Sequence, residues 1–140
     1  MTIKHIPRIM TLKEIQDEVI AKYRIKIEPH SKCWRRMHAH VKQRKICKWI
    51  QKSSLQCTFD LFHEIGHIET TTSSMRRAES EYYATIWAID RFNEYNLEVP
   101  DNVMRVYHEY IQEEIARGKR RGGTGYGELD IYKYAGIKRN

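Results

Sequence analysis

A chain of 140 residues with 41% hydrophobic and 31% charged residues suits a single domain, residues 1–140, around one modest core. Its apolar runs fall short of the roughly 20 residues of a membrane span. The formal net charge of +7 permits a nucleic-acid partner without establishing one. The N-terminus is basic but lacks a continuous apolar segment and a small-residue cleavage site, so the expected address is cytoplasmic. Cys33, Cys47 and Cys57 are odd in number and too widely spaced for a CxxC pair. They read as buried thiols, not as a disulfide framework or a thiolate zinc knuckle.

In chain order, Thr11 and Glu14 make a T-x-x-E capping box, and Leu12, Ile15, Val19 and Tyr23 follow at helical spacing. Residues 24–28 alternate, with Ile25 and Ile27 on one face, and predict a short strand ended by Pro29. Residues 38–50 hold one or two further strands. Ser53 and Gln56 form an S-x-x-Q box that opens a second helix, with an apolar stripe of Leu55, Phe59, Phe62 and Ile65. The polar cluster from Thr70 to Ser74 ends that helix. A third runs from about Met75 to Asn93 through Tyr82, Ile86, Ile89 and Phe92. Pro100-Asp101 opens a fourth through Val103, Val106, Tyr107, Tyr110 and Ile111, stopped by Gly118. Arg117-Gly-Lys-Arg-Arg121, followed by Gly122, Gly123, Gly125 and Gly127, reads as a basic loop, either solvated or facing an anionic partner. Residues 128–137 read as a last strand. The expected fold is α+β, a small antiparallel sheet packed beside a helical layer.

The second helix carries His63-Glu64-Ile65-Gly66-His67, an H-E-x-x-H motif. Four residues advance about 400° on a helix, so the two imidazoles stand roughly 40° apart and about 6 Å along the axis. Both can reach one tetrahedral zinc ion at about 2.0–2.1 Å. Glu64, one residue on, is turned away from the ion but can reach a water held there, whose pKa zinc lowers to about 7. It is the candidate general base. Gly66 has no side chain, so another backbone or a substrate can approach the helix there. A catalytic site needs a third protein ligand and one open position. If helices two and three form an antiparallel pair, Glu81 stands level with His63. Glu79 is turned about 160° from Glu81, and only one of the two can face the metal; Glu81 is favoured.

These residues, with Glu81-Tyr82-Tyr83-Ala84-Thr85-Ile86-Trp87-Ala88, resemble the ImmA/IrrE family of metallopeptidases. That family pairs an HE-x-G-H helix with a downstream E-x-x-A-x-x-F-A helix. Glu81, Ala84, Trp87 and Ala88 fall on the glutamate, first alanine, aromatic and last alanine positions. Ile89-Asp90-Arg91-Phe92 stands where the family has a Leu-Leu-Met-Pro-like continuation, and no helix-turn-helix or sensory segment is attached. The resemblance implies zinc held by His63, His67 and Glu81, and an origin among phages or mobile elements. It also implies a zinc-dependent endopeptidase acting on a protein substrate, a repressor-type regulator. The alternative is a metallopeptidase-fold protein with little turnover that sequesters a regulator. A nucleic-acid-binding reading rests on the basic loop alone, since no recognition helix or aromatic RNA-binding motif accompanies it.

His38-Ala39-His40 places two imidazoles on one face of a strand, where they can bind a metal, although a surface pair is the plainer reading. Tyr82, Tyr107, His108 and Tyr126 are candidate transition-state donors, each with a plainer structural role.

Overall fold

The first capping box closes as its sequence predicts. In the computed structural model, which describes residues 9–28, 37–47 and 49–120, the Thr11 hydroxyl accepts from the Glu14 N–H and the Glu14 carboxylate accepts from the Thr11 N–H, both at 3.1 Å. Helix α1 (Leu12–Lys22) buries Ile15, Gln16 and Val19. Its end is a Schellman turn. The Arg24 N–H reaches the Ala21 carbonyl and the Ile25 N–H reaches that of Ile20, with Arg24 at a left-handed φ of 54°. The turn reverses the chain directly into β1 (Lys26–Glu28).

Strands β2 (His38–His40) and β3 (Lys45–Cys47) form a hairpin whose turn places Arg44 at φ 51°. The sheet order is β1-β3-β2. β3 pairs parallel with β1 and antiparallel with β2, so the sheet is mixed, not antiparallel as expected. The hairpin folds back so that β3, the strand running in the same sense as β1, slots beside it. Ile27, Ile46 and Ala39 are in register on adjacent strands, and Ile46 is fully buried in the core.

Helix α2 (Leu55–Thr70) is capped by Ser54, whose hydroxyl accepts from the Cys57 N–H at 3.0 Å. The cap is therefore one residue later than the Ser53–Gln56 box predicts, because it is the Ser54 hydroxyl that reaches the free N–H at the third helical position. Helix α3 (Arg77–Glu94) starts two residues later than Met75. Its buried face is Ala78, Ala84, Thr85, Ala88 and Phe92, whereas Tyr82, Ile86 and Ile89 are only partly buried. Close approach to α2 selects small side chains, so the larger apolar residues do not mark the inner face. Trp87 packs edge-on against Tyr23, ring centroids 4.9 Å apart.

Helix α4 (Asp101–Arg120) continues through Gly118. One interior glycine costs about 1 kcal/mol, and the Arg117 guanidinium bridges Glu113 at 2.8 Å and Glu114 at 3.0 Å across the same turns. The basic run therefore begins inside a helix, not in a loop. Cys33, Arg121, Tyr126, the glycines beyond 121 and the expected strand 128–137 lie outside the described residues. The core joins α1, the sheet and the other helices through Ile15, Val19, Ile46, Phe59, Phe62, Ile65, Phe92 and Val103. Among the described residues, no helix is long and apolar enough to cross a membrane.

Candidate metal centre

Helix α2 is buried nearly all round, on Thr58, Phe59, Leu61, Phe62, His63, Ile65, Gly66 and Ile68. Its imidazoles are therefore carried into low-dielectric surroundings, where each polar nitrogen needs a partner. The antiparallel partner, α3, comes close because of one position. A Cβ on Gly66 would meet the Ala84 carbonyl oxygen at 2.6 Å and the Ala84 Cα at 2.9 Å. The approach that glycine permits is thus that of the α3 backbone.

This contact brings three side chains to a point. His63 Nε2 lies 2.9 Å from Glu81 Oε2, His67 Nε2 lies 3.2 Å from the same oxygen, and the two Nε2 atoms are 3.1 Å apart. Donor atoms on a tetrahedral zinc ion stand about 3.3 Å from one another, as bond lengths near 2.0–2.1 Å require. Glu79, the other carboxylate considered, turns outward to Arg76 at 2.7 Å.

Hydrogen bonds behind the rings set which nitrogen faces inward. The Thr85 hydroxyl donates to the Glu81 carbonyl at 2.7 Å, leaving its oxygen to accept from His63 Nδ1 at 3.2 Å. His67 Nδ1 lies 3.0 Å from Ser80 Oγ and 3.4 Å from Thr71 Oγ1, two hydroxyls that also bond each other. With a proton on each Nδ1, both Nε2 lone pairs point at the Glu81 carboxylate. Three acceptor atoms then converge, and such a point requires positive charge: a metal ion or, in the metal-free chain, a proton on an imidazole that bonds Glu81.

The electrostatics follow from that demand. Burial pushes the Glu81 carboxyl up, but hydrogen bonds and charge from His63 and His67 outweigh it and hold the group down at about 2. Burial lowers His67, and the hydrogen bond and charge of Glu81, with the charge of Glu64, outweigh it and raise the net value. Glu64 is raised by burial, which prevails over the charges of His63 and His67. The Glu64 carboxylate accepts a hydrogen bond from the backbone of Ala39 on β2.

His63, Glu64 and Glu81 line a cleft of about 260 Å³, walled on the α4 side by Val106, Tyr107 and Tyr110. The Tyr107 ring lies against His63, centroids 4.6 Å apart, and its hydroxyl donates to Asp60. Burial and the Asp60 carboxylate raise the Tyr107 phenol, which stays neutral as the donor in that bond. Its hydroxyl is thus engaged behind the ring and does not face the cleft as a free donor. Tyr82 packs edge-on against Tyr83, and burial lowers His108; neither lines the cleft. Thr85, Ser80, Tyr110 and the Ala39 backbone complete the surroundings without having stood out as site residues in the sequence. Helical spacing carries a signal for one of them, since Thr85 is one turn beyond Glu81.

Among the described residues two groups are placed to hold a metal ion, His63 with His67 and Glu81, and His38 with His40 and Cys47. Set beside known proteins, the chain matches no family model, no curated protein and no solved structure.

Proposed function

We propose that the chain is a zinc-dependent endopeptidase acting in the cytoplasm on a protein substrate, of the repressor-regulator class that the ImmA/IrrE resemblance implies. One observation carries the reading: two imidazole nitrogens and a carboxylate oxygen converge within 3.2 Å, each ring fixed from behind by a hydroxyl. His63, His67 and Glu81 would hold the ion, and three protein ligands leave a fourth position open, as catalysis requires. When bound, zinc supplies Lewis acidity that polarises a carbonyl and lowers the pKa of water to about 7.

The other roles belong to the chain. Glu64 takes a proton from the attacking water and returns it to the leaving amine. Its raised pKa suits both halves of that exchange. The Ala39 N–H holds the carboxylate at the sheet edge, since β2 is an outer strand of the three. An extended peptide added along that edge would pass Glu64, with the Val106–Tyr110 wall opposite. Tyr110, hydrogen-bonded to Arg77, is a donor within the cleft for charge developing on the substrate carbonyl.

The test is metal analysis of the purified chain combined with cleavage profiling in a host lysate. Glu64→Gln keeps all three metal-binding side chains, so it should retain zinc there and lose at least about 10²–10⁴-fold in turnover. His67→Ala should lose that zinc and turnover together. Full biological activity in a zinc-loaded Glu64→Gln protein would discard the peptidase and leave the sequestering reading.

A further inference from the structure

The outward row of the sheet holds a second set of metal-binding atoms. His38 and His40 alternate with Ala39 on β2 and so share one face, opposite the face on which Ile46 enters the core. Cys47 is the register partner of His38 on β3, and Glu28 is the register partner of Cys47 on β1. Glu28, Cys47 and His38 thus form one row across all three strands, with His40 diagonal to Cys47. The two histidine Nε2 atoms are 3.0 Å apart. One ring nitrogen of each histidine and Cys47 Sγ all lie within 4.8 Å of one another. Glu28 Oε2 stands 3.9 Å from the sulfur, while its Oε1 is held by Lys45 at 3.2 Å. Cys47 is 1% exposed, so it is withdrawn from solvent.

We propose that His38, His40 and Cys47 form a second zinc site, structural in purpose, with Glu28 at hand as the fourth ligand. Tetrahedral zinc sets its nitrogens about 3.3 Å apart and nitrogen from sulfur about 3.6 Å apart. The imidazole pair already meets the first spacing, and small side-chain rotations close the second. A thiolate with two imidazoles excludes magnesium and calcium, which take oxygen ligands. Binding replaces the thiol proton, which leaves to solvent. The ion would clamp β2 to β3 and, through Glu28, to β1. β2 spans only three residues, yet its Ala39 backbone holds Glu64. The second ion would therefore position the sheet edge beside the cleft. It shares no ligand with the His63, His67 and Glu81 centre, and it stands or falls independently of the peptidase reading.

The plain rival is a hydrogen bond between two neutral imidazoles, which predicts no metal on this face. The test uses the full chain stripped by chelator and reloaded with zinc or, as a spectroscopic substitute, cobalt(II). Two equivalents should bind. The cobalt protein should show a thiolate-to-cobalt charge-transfer band in the near ultraviolet, which the sulfur-free centre cannot give. Cys47→Ser should remove the band and one equivalent, whereas Cys57→Ser should keep both. His67→Ala should lose the other equivalent and keep the band. Because Cys47 is buried, the double variant His38→Gln with His40→Gln provides a second route: it retains the thiol, and circular dichroism checks its fold. It should also bind one equivalent fewer. A wild-type chain with no cobalt–thiolate band, a band that survives Cys47→Ser, or undiminished stoichiometry in the double variant would overturn the site.

Discussion

Gly66 and Ala84 set the separation of the two helices that carry His63, His67 and Glu81. The hypothetical Cβ at position 66 falls 2.6 Å from a backbone oxygen, not from a side chain able to swing aside. Gly66→Ala would gain about 1 kcal/mol in helix propensity. The overlap costs typically 1–3 kcal/mol, and here it can be relieved only by moving one helix against the other. The expected result is a net loss of stability in a thermal melt together with weaker zinc binding at the centre. A variant more stable than wild type, with unchanged affinity, would show that the helices have room to spare.

Thr85 would act on a bound metal through His63. Its hydroxyl is committed as donor to the Glu81 carbonyl and so accepts from His63 Nδ1. Thr85→Val keeps the shape and removes the acceptor, freeing the ring to tautomerise or turn. Zinc affinity should fall by about 10–100-fold, the usual cost of losing such a partner. Thr85→Ser should restore most of it. Competition against a chromophoric chelator measures both.

The chain without metal and the zinc-loaded chain should respond oppositely to pH. Without metal, the depressed Glu81 pKa contributes stability that is present above the unfolded carboxylate value of about 4.3 and lost as pH falls through about 2. The raised His67 contributes stability fully present below about 6.5 and lost as pH rises through its folded pKa. The contribution of this pair is therefore greatest between the two unfolded values and declines toward alkaline pH. Zinc requires deprotonated ligands, so its stabilisation grows as pH rises. The gap in Tm between zinc-loaded and chelator-treated protein should widen from about pH 6 to about pH 8. A gap that narrows over that range would contradict ligation by His67.

Tyr107 is expected to be structural. Tyr107→Phe removes the donor to Asp60 but leaves the ring on His63. The cost should be about 1.5 kcal/mol, the low end for a carboxylate partner, because Asp60 is partly open to solvent. Zinc stoichiometry should not change. A loss of turnover far beyond the loss of folded protein would instead assign the hydroxyl a part in the chemistry.

Local chemistry was legible and long-range pairing was not. The level placement of Glu81 follows once α2 and α3 are taken as an antiparallel pair joined by a short turn, and the spacing of His63 and His67 follows from helix geometry, which depends only on neighbouring residues. The Thr11–Glu14 box closes for the same reason. The sense of the sheet depends on which hairpin strand meets β1, and no residue within β1 or β3 states that. The meeting of Cys47 with His38 was hidden likewise, because it is made by strand register and not by spacing along the chain. Gly118 misled because a glycine ends a helix only where the chain needs a left-handed turn, and Arg117 with its two glutamates favours continuing. On α3 the rule that large apolar residues face inward failed where backbones nearly touch and alanine fits.

The donors of the first centre also lie close in sequence. His63 and Glu81 are 18 residues apart, both within one helical hairpin, whereas Glu64 takes its backbone partner from Ala39 on a separate strand. Bringing nearby residues together costs less chain entropy than joining distant ones, and local contacts tend to form first. The hairpin is therefore expected to be able to capture zinc before β2 docks against α2 and holds the Glu64 carboxylate. On the proposed reading, a refolding chain would bind zinc before the Glu64 carboxylate is held, with turnover arriving only once β2 has docked. Pulsed hydrogen exchange during refolding in zinc would show this as protection in α2 and α3 ahead of the Ala39 amide that meets Glu64.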